Sequence, residues 1–585
     1  MHSKLLVLWG NNPHETRMSG GGETFVSQQA KKLSGVKVIV VDPRYTDTAV
    51  TIADQWVPLR PGTDTALVAA LAHVMIAENL QDQKFLDTYC VGFDEKHLPK
   101  GAKPGSSYRA YVTGEGPDGV EKTPEWASRI TGVPAPAIMR LAREIGQAKP
   151  CAITQGWGPQ RHANGENTSR AIFLLASMTG NVGITGGGTG GREGAYYIAT
   201  TGFPTLTNPV ETAISVYGWT DAVERGTEMT ALADGVKGKD KLDVGIKFIW
   251  QYAGNALVNQ HGDINRTTKI LEDESLCEMI VVIDNQMTVS ARYADILLPD
   301  VTNAEQADLA QQGSAGNLGY IIFADQVIEP LFDCKTIYEM CSEIAERLGV
   351  KKKFTEGKTQ DDWLREIVKA SQALEPDMPD FEKLREMGVW KKKSPDGPTI
   401  PLKDFREDPV KHPLETPSGK IEIYSARLQK LSDTWTLPAG DHITALPEYF
   451  PTWEGAEDPL RDTYPLQCIG HHYKQRTHST YGNSPWLKEA HPQEVWINDS
   501  DAAKRGVKHG DTVNVFNGRG RIEIVAKVTP RIAPGVVSVP QGAWYTPNSK
   551  GLDTGGCMNT LTSLRPTALS KGNAQHTVLV QIEKV

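Results

Sequence analysis

Short apolar runs, each ending in a polar turn, set the rhythm of the first 150 residues. Lys4–Trp9 (KLLVLW) reads as a buried strand that stops at Gly10-Asn11-Asn12-Pro13. Val36–Val41 stops at Asp42-Pro43-Arg44, and Gln55–Arg60 stops at Pro61-Gly62-Thr63-Asp64. A helix is expected to begin near Gly22, and another runs from Thr65 to Glu78 with Asp64 placed as its N-cap. Strand, loop, helix, strand is the grammar of a parallel α/β sheet.

From Cys151 the pattern restarts. The strand Cys151–Gln155, the loop Gly156–Gly165, the helix Ser169–Met178 and a glycine turn over Gly180–Gly191 follow in order, with later strands at Phe248–Tyr252 and Met279–Ile283. Residues 350–445 are rich in Lys, Asp, Pro and Trp with weak periodicity, so irregular connecting structure is expected there. Beyond Pro465 the strands are short and the turns tight: Glu494–Asn498, Thr512–Phe516, Arg521–Val528 and Gly535–Pro540. That spacing is the mark of a small closed barrel.

Composition narrows the functional classes. At 585 residues the chain is too long for one core, so three or four domains are expected. Mean hydropathy is −0.37, and no apolar run approaches the roughly 18 residues that span a bilayer. Residues 1–30 show no signal-peptide pattern. A net charge of −9 without a Lys/Arg block argues against nucleic acid as a partner. Seven cysteines (90, 151, 277, 334, 341, 468 and 557) form no CxxC pair and read as buried thiols, so no metal site is expected from them.

The chemistry concentrates just past the strand ends, the edge at which open α/β sheets bind ligands. Five polar loops sit there: Gly10–Arg17, Asp42–Thr48, Arg60–Asp64, Gly156–Gly165 and Asp284–Asp295. An acidic residue after a strand suits ribose hydroxyls or the N1/N2 edge of guanine, while arginines and free amides suit pyrophosphate. Each loop alone is an ordinary turn; five together favour a nucleotide. No GxGxxG follows the first strand and no GxxxxGK[ST] occurs, which disfavours a conventional NAD enzyme or P-loop protein. Gly183–Gly190 (GITGGGTG) follows a helix, the wrong context for a dinucleotide loop.

These loops resemble, in order, the signatures of the dimethyl sulfoxide reductase family of molybdenum enzymes. The matching stretches include Trp9-Gly10-Asn11-Asn12-Pro13, Val41-Asp42-Pro43-Arg44-Tyr45-Thr46 and Leu59-Arg60-Pro61-Gly62-Thr63-Asp64. Gly156-Trp157-Gly158-Pro159-Gln160-Arg161, Thr179-Gly180-Asn181-Val182-Gly183, Ala294-Asp295-Ile296-Leu297-Leu298-Pro299 and Thr416-Pro417-Ser418-Gly419 continue the series. His472-Tyr473-Lys474-Gln475-Arg476-Thr477-His478-Ser479 carries it into the last third. Asn11 through Arg17 with Met18-Ser19-Gly20, together with Asp42–Thr48, look closest to the anaerobic dimethyl sulfoxide reductase branch and its selenate-reducing paralogues.

The resemblance implies a cofactor, bis(molybdopterin guanine dinucleotide) with molybdenum: long, anionic and extended by two guanosine diphosphate tails. It also implies an α/β fold. Two dinucleotide-binding α/β domains with mainly parallel sheets are expected over 1–152 and 153–345, with an irregular segment over 346–445. A six-stranded β-barrel that caps the cofactor is expected over 446–585. By the same resemblance Asn12, Asp42, Arg44 and Asp64 belong to one guanosine diphosphate site, with Gly10, Arg17, Arg60 and Gly62 beside them. Trp157, Arg161, Gly180 and Asn181 would lie under the pterins, and Asn285 and Asp295 nearer the other nucleotide. His472, Arg476, His478 and Ser479 would close over the cofactor, and Asn559, Arg565 and Gln575 would complete it. Trp157 reads equally as core, and His471-His472 otherwise as a metal pair.

The implied activity is oxygen-atom transfer that reduces S-oxides or N-oxides in anaerobic respiration. Selenate reductase, nitrate reductase and formate dehydrogenase are in-family alternatives. The implied partners are an iron–sulfur electron-transfer subunit and a membrane anchor subunit at the periplasmic face. The family's metal ligand and its iron–sulfur cysteines are expected upstream of Met1, so the chain alone is expected to be inactive. A non-catalytic pterin-binding module therefore stays open as a second reading.

Overall fold

The computed structural model describes residues 2–17, 22–191, 195–315 and 317–585; the Met18-Ser19-Gly20 end of the first loop motif lies outside the described residues. Four parallel strands form the first sheet: β1 (Leu5–Trp9), β2 (Lys37–Val41), β3 (Gln55–Val57) and β4 (Cys151–Gln155), in the order β3-β2-β1-β4. Successive strand side chains point to opposite faces, and both faces are covered. Leu5, Val7 and Trp9 pack with Leu67, Leu71, Leu174 and Leu175, whereas Leu8, Val38 and Val40 pack with Ala49 and Ile52. The helices responsible are α2 (Asp47–Ile52), α3 (Asp64–Ala77) and α4 (Gly165–Met178), preceded by the single turn α1 (Pro13–Thr16).

Two sequence expectations change here. The boundary expected at residue 152 falls inside β4, which pairs with β1 from Leu5↔Cys151 to Trp9↔Gln155, so the first α/β unit continues through α4. Apolar runs announce a strand but not its neighbour, and a strand returning beside the first one reads like the start of a new domain. Asp64 is not the cap of α3 either: Thr63 occupies that position, and the Asp64 carboxylate accepts a 2.7 Å bond from Trp9 Nε1 instead.

The second parallel sheet is β5 (Phe248–Tyr252), β6 (Met279–Asp284) and β7 (Ile296–Pro299), in that order. An antiparallel sheet follows, in which Asp308–Ala315 and Leu318–Ala324 pair and Val389–Lys393 adds to the latter. The segment 346–445, expected to be irregular, instead carries the helices Gln360–Leu374, Phe381–Met387 and Ala426–Thr434 besides that strand. A capping box between Thr359 and Asp362 starts the first of them. Its buried residues Leu364 and Val368 pack on Ile321 and Phe323 of the sheet, so a tertiary contact organises a weakly periodic stretch.

The C-terminal strands β8 (Leu466–His471), β9 (Glu494–Ile497), β10 (Thr512–Phe516), β11 (Arg521–Val528), β12 (Val536–Pro540) and β13 (Leu579–Lys584) close a barrel in the order β8-β12-β9-β11-β10-β13. Backbone bonds seat it on the strand-end edge of the first sheet. Tyr45 N donates to Arg531 O at 2.8 Å, Ala533 N to Pro43 O at 2.9 Å and His576 N to Arg161 O at 3.0 Å. The barrel thus roofs the loops that follow β1, β2, β3 and β4.

Candidate active site

Between that roof and the sheet edge lies a cavity of about 150 Å3. Its floor is built by the loops after the four strands. A Cβ on Gly156 would lie 2.0 Å from Gly10 O, and one on Gly10 would lie 2.6 Å from the Pro159 ring, so glycine at both positions lets the β1 and β4 loops touch. In the β1 loop, Asn12 Oδ1 accepts Thr48 Oγ1 at 2.6 Å, which ties that loop to the N-terminal turn of α2.

The charges inside are unbalanced. Arg44 Nη2 donates to Glu15 Oε2 at 2.6 Å with both side chains buried, yet Arg44 Nη1 is buried without a partner. Asp42 Oδ1 accepts the Arg44 amide at 2.8 Å. Burial pushes Asp42 up to about 6, outweighing the Arg44 charge, and pushes Asp64 up to about 6 against the Trp9 bond. Arg161 is held below its ordinary value by burial, with no acidic group opposing. Arg44 Nη1 and the Arg161 guanidinium keep donors for an anion, while Asp42 and Asp64, raised toward neutral pH, stand beside them as acceptors.

The imidazoles that line the cavity, His162 of the floor and His471, His472 and His576 of the roof, are neutral. Burial pulls His162 and His472 down to about 4, and takes His471 and His576 well below their ordinary value. His471 Nδ1 lies 2.7 Å from Ser538 Oγ, Gln541 Nε2 lies 3.0 Å from His472 Nδ1, and Gln575 Nε2 donates to Gln541 Oε1 at 3.3 Å. The His471-His472 pair is therefore a pair of neutral hydrogen-bonding rings. Among the described residues, the one cluster with metal-ligand spacing is Asp87, Asp94 and His97, which do not line this cavity.

Of the residues singled out in the sequence, Gly10, Asn12, Asp42, Arg44, Asp64, Trp157, Arg161, His472 and Gln575 line this one cavity. Gly62 adjoins it, since a Cβ there would lie 3.6 Å from the His162 ring. Arg476 sits one layer behind, donating to Gln541 O at 2.8 Å and Gln493 Oε1 at 2.8 Å, and it faces a second cavity of about 380 Å3. The His478 ring packs 5.3 Å from that of His472, and Ser479 O accepts Trp544 Nε1 at 2.7 Å.

The others are engaged elsewhere. Arg17 is exposed, and Arg60 Nη1 donates to the carbonyls of Arg129 and Ile130. Gly180 O accepts Arg406, and Asn181 is buried beside Ala148 past the far end of α4. Asn285 is exposed, Asp295 accepts the Ile280 amide at 2.7 Å, Asn559 donates to Asn259 O at 2.7 Å, and Arg565 pairs with Asp441 at 2.7 Å. Sequence reasoning missed His162, Gln541 and His576 as lining residues, and it did not anticipate Glu15 as the partner of Arg44. Glu15 stood in a flagged loop, whereas Gln541 and His576 carry no local signal.

Comparison with known proteins matches residues 1–347 to the Molybdopterin oxidoreductase family model and residues 466–579 to the Molydopterin dinucleotide binding domain. The chain is 60% identical over 584 residues to dimethyl sulfoxide reductase DmsA of Escherichia coli (strain K12), covering 100% of this chain and 72% of that protein. It is 32% identical over 621 residues to the dimethyl sulfoxide/trimethylamine N-oxide reductase of Rhodobacter capsulatus, covering 100% of this chain and 71% of that protein. Among solved structures, acetylene hydratase from Pelobacter acetylenicus shares the fold with a TM-score of 0.70 and 22% identity, covering 100% of this chain and 78% of that one.

Proposed function

Since the chain belongs to the molybdopterin oxidoreductase family, we propose that it reduces S-oxides or N-oxides, dimethyl sulfoxide and trimethylamine N-oxide being the representative substrates. The carrying observation is the cavity under the barrel, where Arg44 Nη1 has no partner and the Arg161 charge no acidic neighbour. Those donors fit a diphosphate. The two buried carboxyls, Asp42 and Asp64, fit the N–H and O–H groups of guanine and ribose.

When bound, the molybdenum–pterin group supplies the two-electron oxygen-atom transfer chemistry that side chains lack. The chain's own residues bind, orient and dry it. Arg44 and Arg161 offset phosphate charge, and Asp42 and Asp64 hold the nucleoside end. The barrel excludes water, so these polar contacts act in a low dielectric. The neutral imidazoles of His471, His472 and His576 add hydrogen-bonding capacity without further charge. We assign the second guanosine diphosphate tail of a bis(molybdopterin guanine dinucleotide) to the cavity faced by Arg476, whose guanidinium burial holds down to about 10; Glu523 lines the same cavity.

We extend the proposal to an iron–sulfur centre in the electron path, an electron-transfer subunit and a membrane anchor subunit at the periplasmic face. The loop motifs shared with the anaerobic branch support this. No helix among the described residues is long and apolar enough to cross a membrane.

The test is anaerobic purification of the chain, followed by metal analysis, pterin fluorescence of the denatured protein, and reduced-viologen oxidation with each oxide. Molybdenum with pterin is expected in the chain, and viologen oxidation that depends on the oxide is expected once the polypeptide that its relatives carry outside the match is supplied with it. Bound NAD or pterin-free protein would overturn the proposal.

A further inference from the structure

Trp9 is the last residue of β1 and is wholly buried, in the core that includes Leu67, Leu71 and Leu174 of the covering helices. It does not line the cavity under the barrel. A buried indole N–H needs an acceptor. Trp9 Nε1 finds one in Asp64 Oδ1, 55 residues on, at 2.7 Å, and Asp64 does line the cavity. Among the described residues no other side chain bonds that carboxylate; its remaining donor is the amide of Asp64 itself. Packing alone does not call for this contact, since phenylalanine would fill most of the same apolar space with no polar atom to satisfy.

The bond matters because of where Asp64 stands. It opens α3 at a cap where no side chain bonds the helix end, so the local backbone does little to orient the carboxylate. The terminal torsion of an aspartate is broad and roughly two-fold. One directional donor on Oδ1 fixes the plane in which the second oxygen can accept. Asp42 is held in a similar way: its Oδ1 accepts the Arg44 amide at 2.8 Å, and Trp56 Nε1 anchors its carbonyl at 2.7 Å. Both acids thus meet the cavity with one carboxylate oxygen tied to the protein. The Trp9 bond also favours the charged form of Asp64 against its burial.

The geometry points to Trp9 as a positioning residue of the nucleoside site, its indole N–H holding the Asp64 carboxylate as an acceptor for the ligand. This rests on the reading of Asp64 as a nucleoside contact, and the two fail separately. Trp9 touches no ligand itself and acts only through Asp64.

The experiment is calorimetry of guanosine diphosphate at pH 6, 7 and 8.5 with the 585-residue chain, Trp9→Phe, Asp64→Asn and the double variant. Losing one bond to a carboxylate moves its ionisation up by about one pH unit, so Trp9→Phe should weaken binding about fivefold at pH 6. The gap should close toward pH 8.5. In the Asp64→Asn background the same change should cost less than about twofold. Asp42, Arg44, Glu15, Arg161, His162 and His576 also titrate or carry charge in this cavity; they are the same in every variant, so the differences cancel them. Equal losses at every pH, or in both backgrounds, make Trp9 a packing residue and sink the inference. So does Trp9→Phe that binds like the unaltered chain while Asp64→Asn binds weakly. An unaltered chain that binds no guanosine diphosphate, or Asp64→Asn that binds it equally well, overturns the nucleoside reading and this inference with it. Should Trp9→Phe not fold, the unaltered chain isotope-labelled at its indole nitrogens carries the test by nuclear magnetic resonance. The Nε1–H resonance that Asp64→Asn displaces should follow the Asp64 titration and shift when guanosine diphosphate is added. A resonance indifferent to the nucleotide refutes the role.

Discussion

Replacing Asp64 by asparagine separates stability from binding at the proposed nucleoside site. Burial raises the folded-state value of Asp64 from 3.8 to about 6. An acid raised in the fold contributes stability that is fully present below its unfolded value and is lost as pH rises through the folded one. At pH 7 the buried carboxylate therefore costs about 2–3 kcal/mol, at roughly 1.4 kcal/mol per unit. The asparagine side chain keeps the shape and an acceptor for Trp9 Nε1 but weakens that charge-assisted bond by about 1 kcal/mol. Asp64→Asn should thus stabilise the cofactor-free chain by about 1–2 kcal/mol at pH 7, and the gain should vanish near pH 4.5. Guanosine diphosphate should meanwhile bind about tenfold to a hundredfold more weakly, since a hydrogen bond to a charged group is worth roughly 1.5–3 kcal/mol.

The assays are urea denaturation of both proteins across pH 4.5–7 and calorimetry with guanosine diphosphate. The readout is the difference between the two proteins, because the buried histidines impose an opposite slope on each profile. Destabilisation of equal size at every pH would mean that Asp64 serves only as a neutral partner of Trp9. A stability gain with unchanged nucleotide affinity would refute the binding role.

Arg44→Ala should cost about 3–5 kcal/mol in urea denaturation, because it leaves the buried Glu15 carboxylate without its 2.6 Å partner; a loss below about 1 kcal/mol would mean that water relieves Glu15. His162 and His472, held near 4 by burial, are bases lowered in the fold, so their stabilisation is complete above about 6.5 and is lost as pH falls toward 4. His162→Gln should flatten the acid limb of the denaturation profile, and an unchanged limb would refute that assignment. Gly156→Ala places a Cβ 2.0 Å from Gly10 O, so it should cost about 1–3 kcal/mol and lower pterin content; full stability and full content would show that the two loops need not touch. Arg476→Ala should lower molybdenum content, and an undiminished content would remove Arg476 from the site.

What was legible in the sequence follows from how local each signal is. β1, β2 and β4 are visible because each is a short apolar run that stops at a polar turn, and the turn is also where the ligand edge lies. For that reason Asn12, Asp42, Asp64 and Arg161, drawn from four separate loops, come together in one cavity. The roles of individual polar residues were not legible, because the sequence does not show what competes for each donor or acceptor. Arg60 and Arg161 look alike on the page, each an arginine in a turn after a strand. Arg60 finds the carbonyls of Arg129 and Ile130 at the end of a helix, whereas no carboxylate lies near enough to Arg161 to offset its burial. Asp64 looks like a helix cap until Trp9, 55 residues earlier, supplies the partner that takes it out of that role. Gln541 and His576 are harder still, because nothing around them suggests a site until barrel closure carries them over the sheet edge. The cavity is therefore a product of topology: its floor is written in loops that can be read one at a time, and its roof exists only once β8 pairs with β12 and β13.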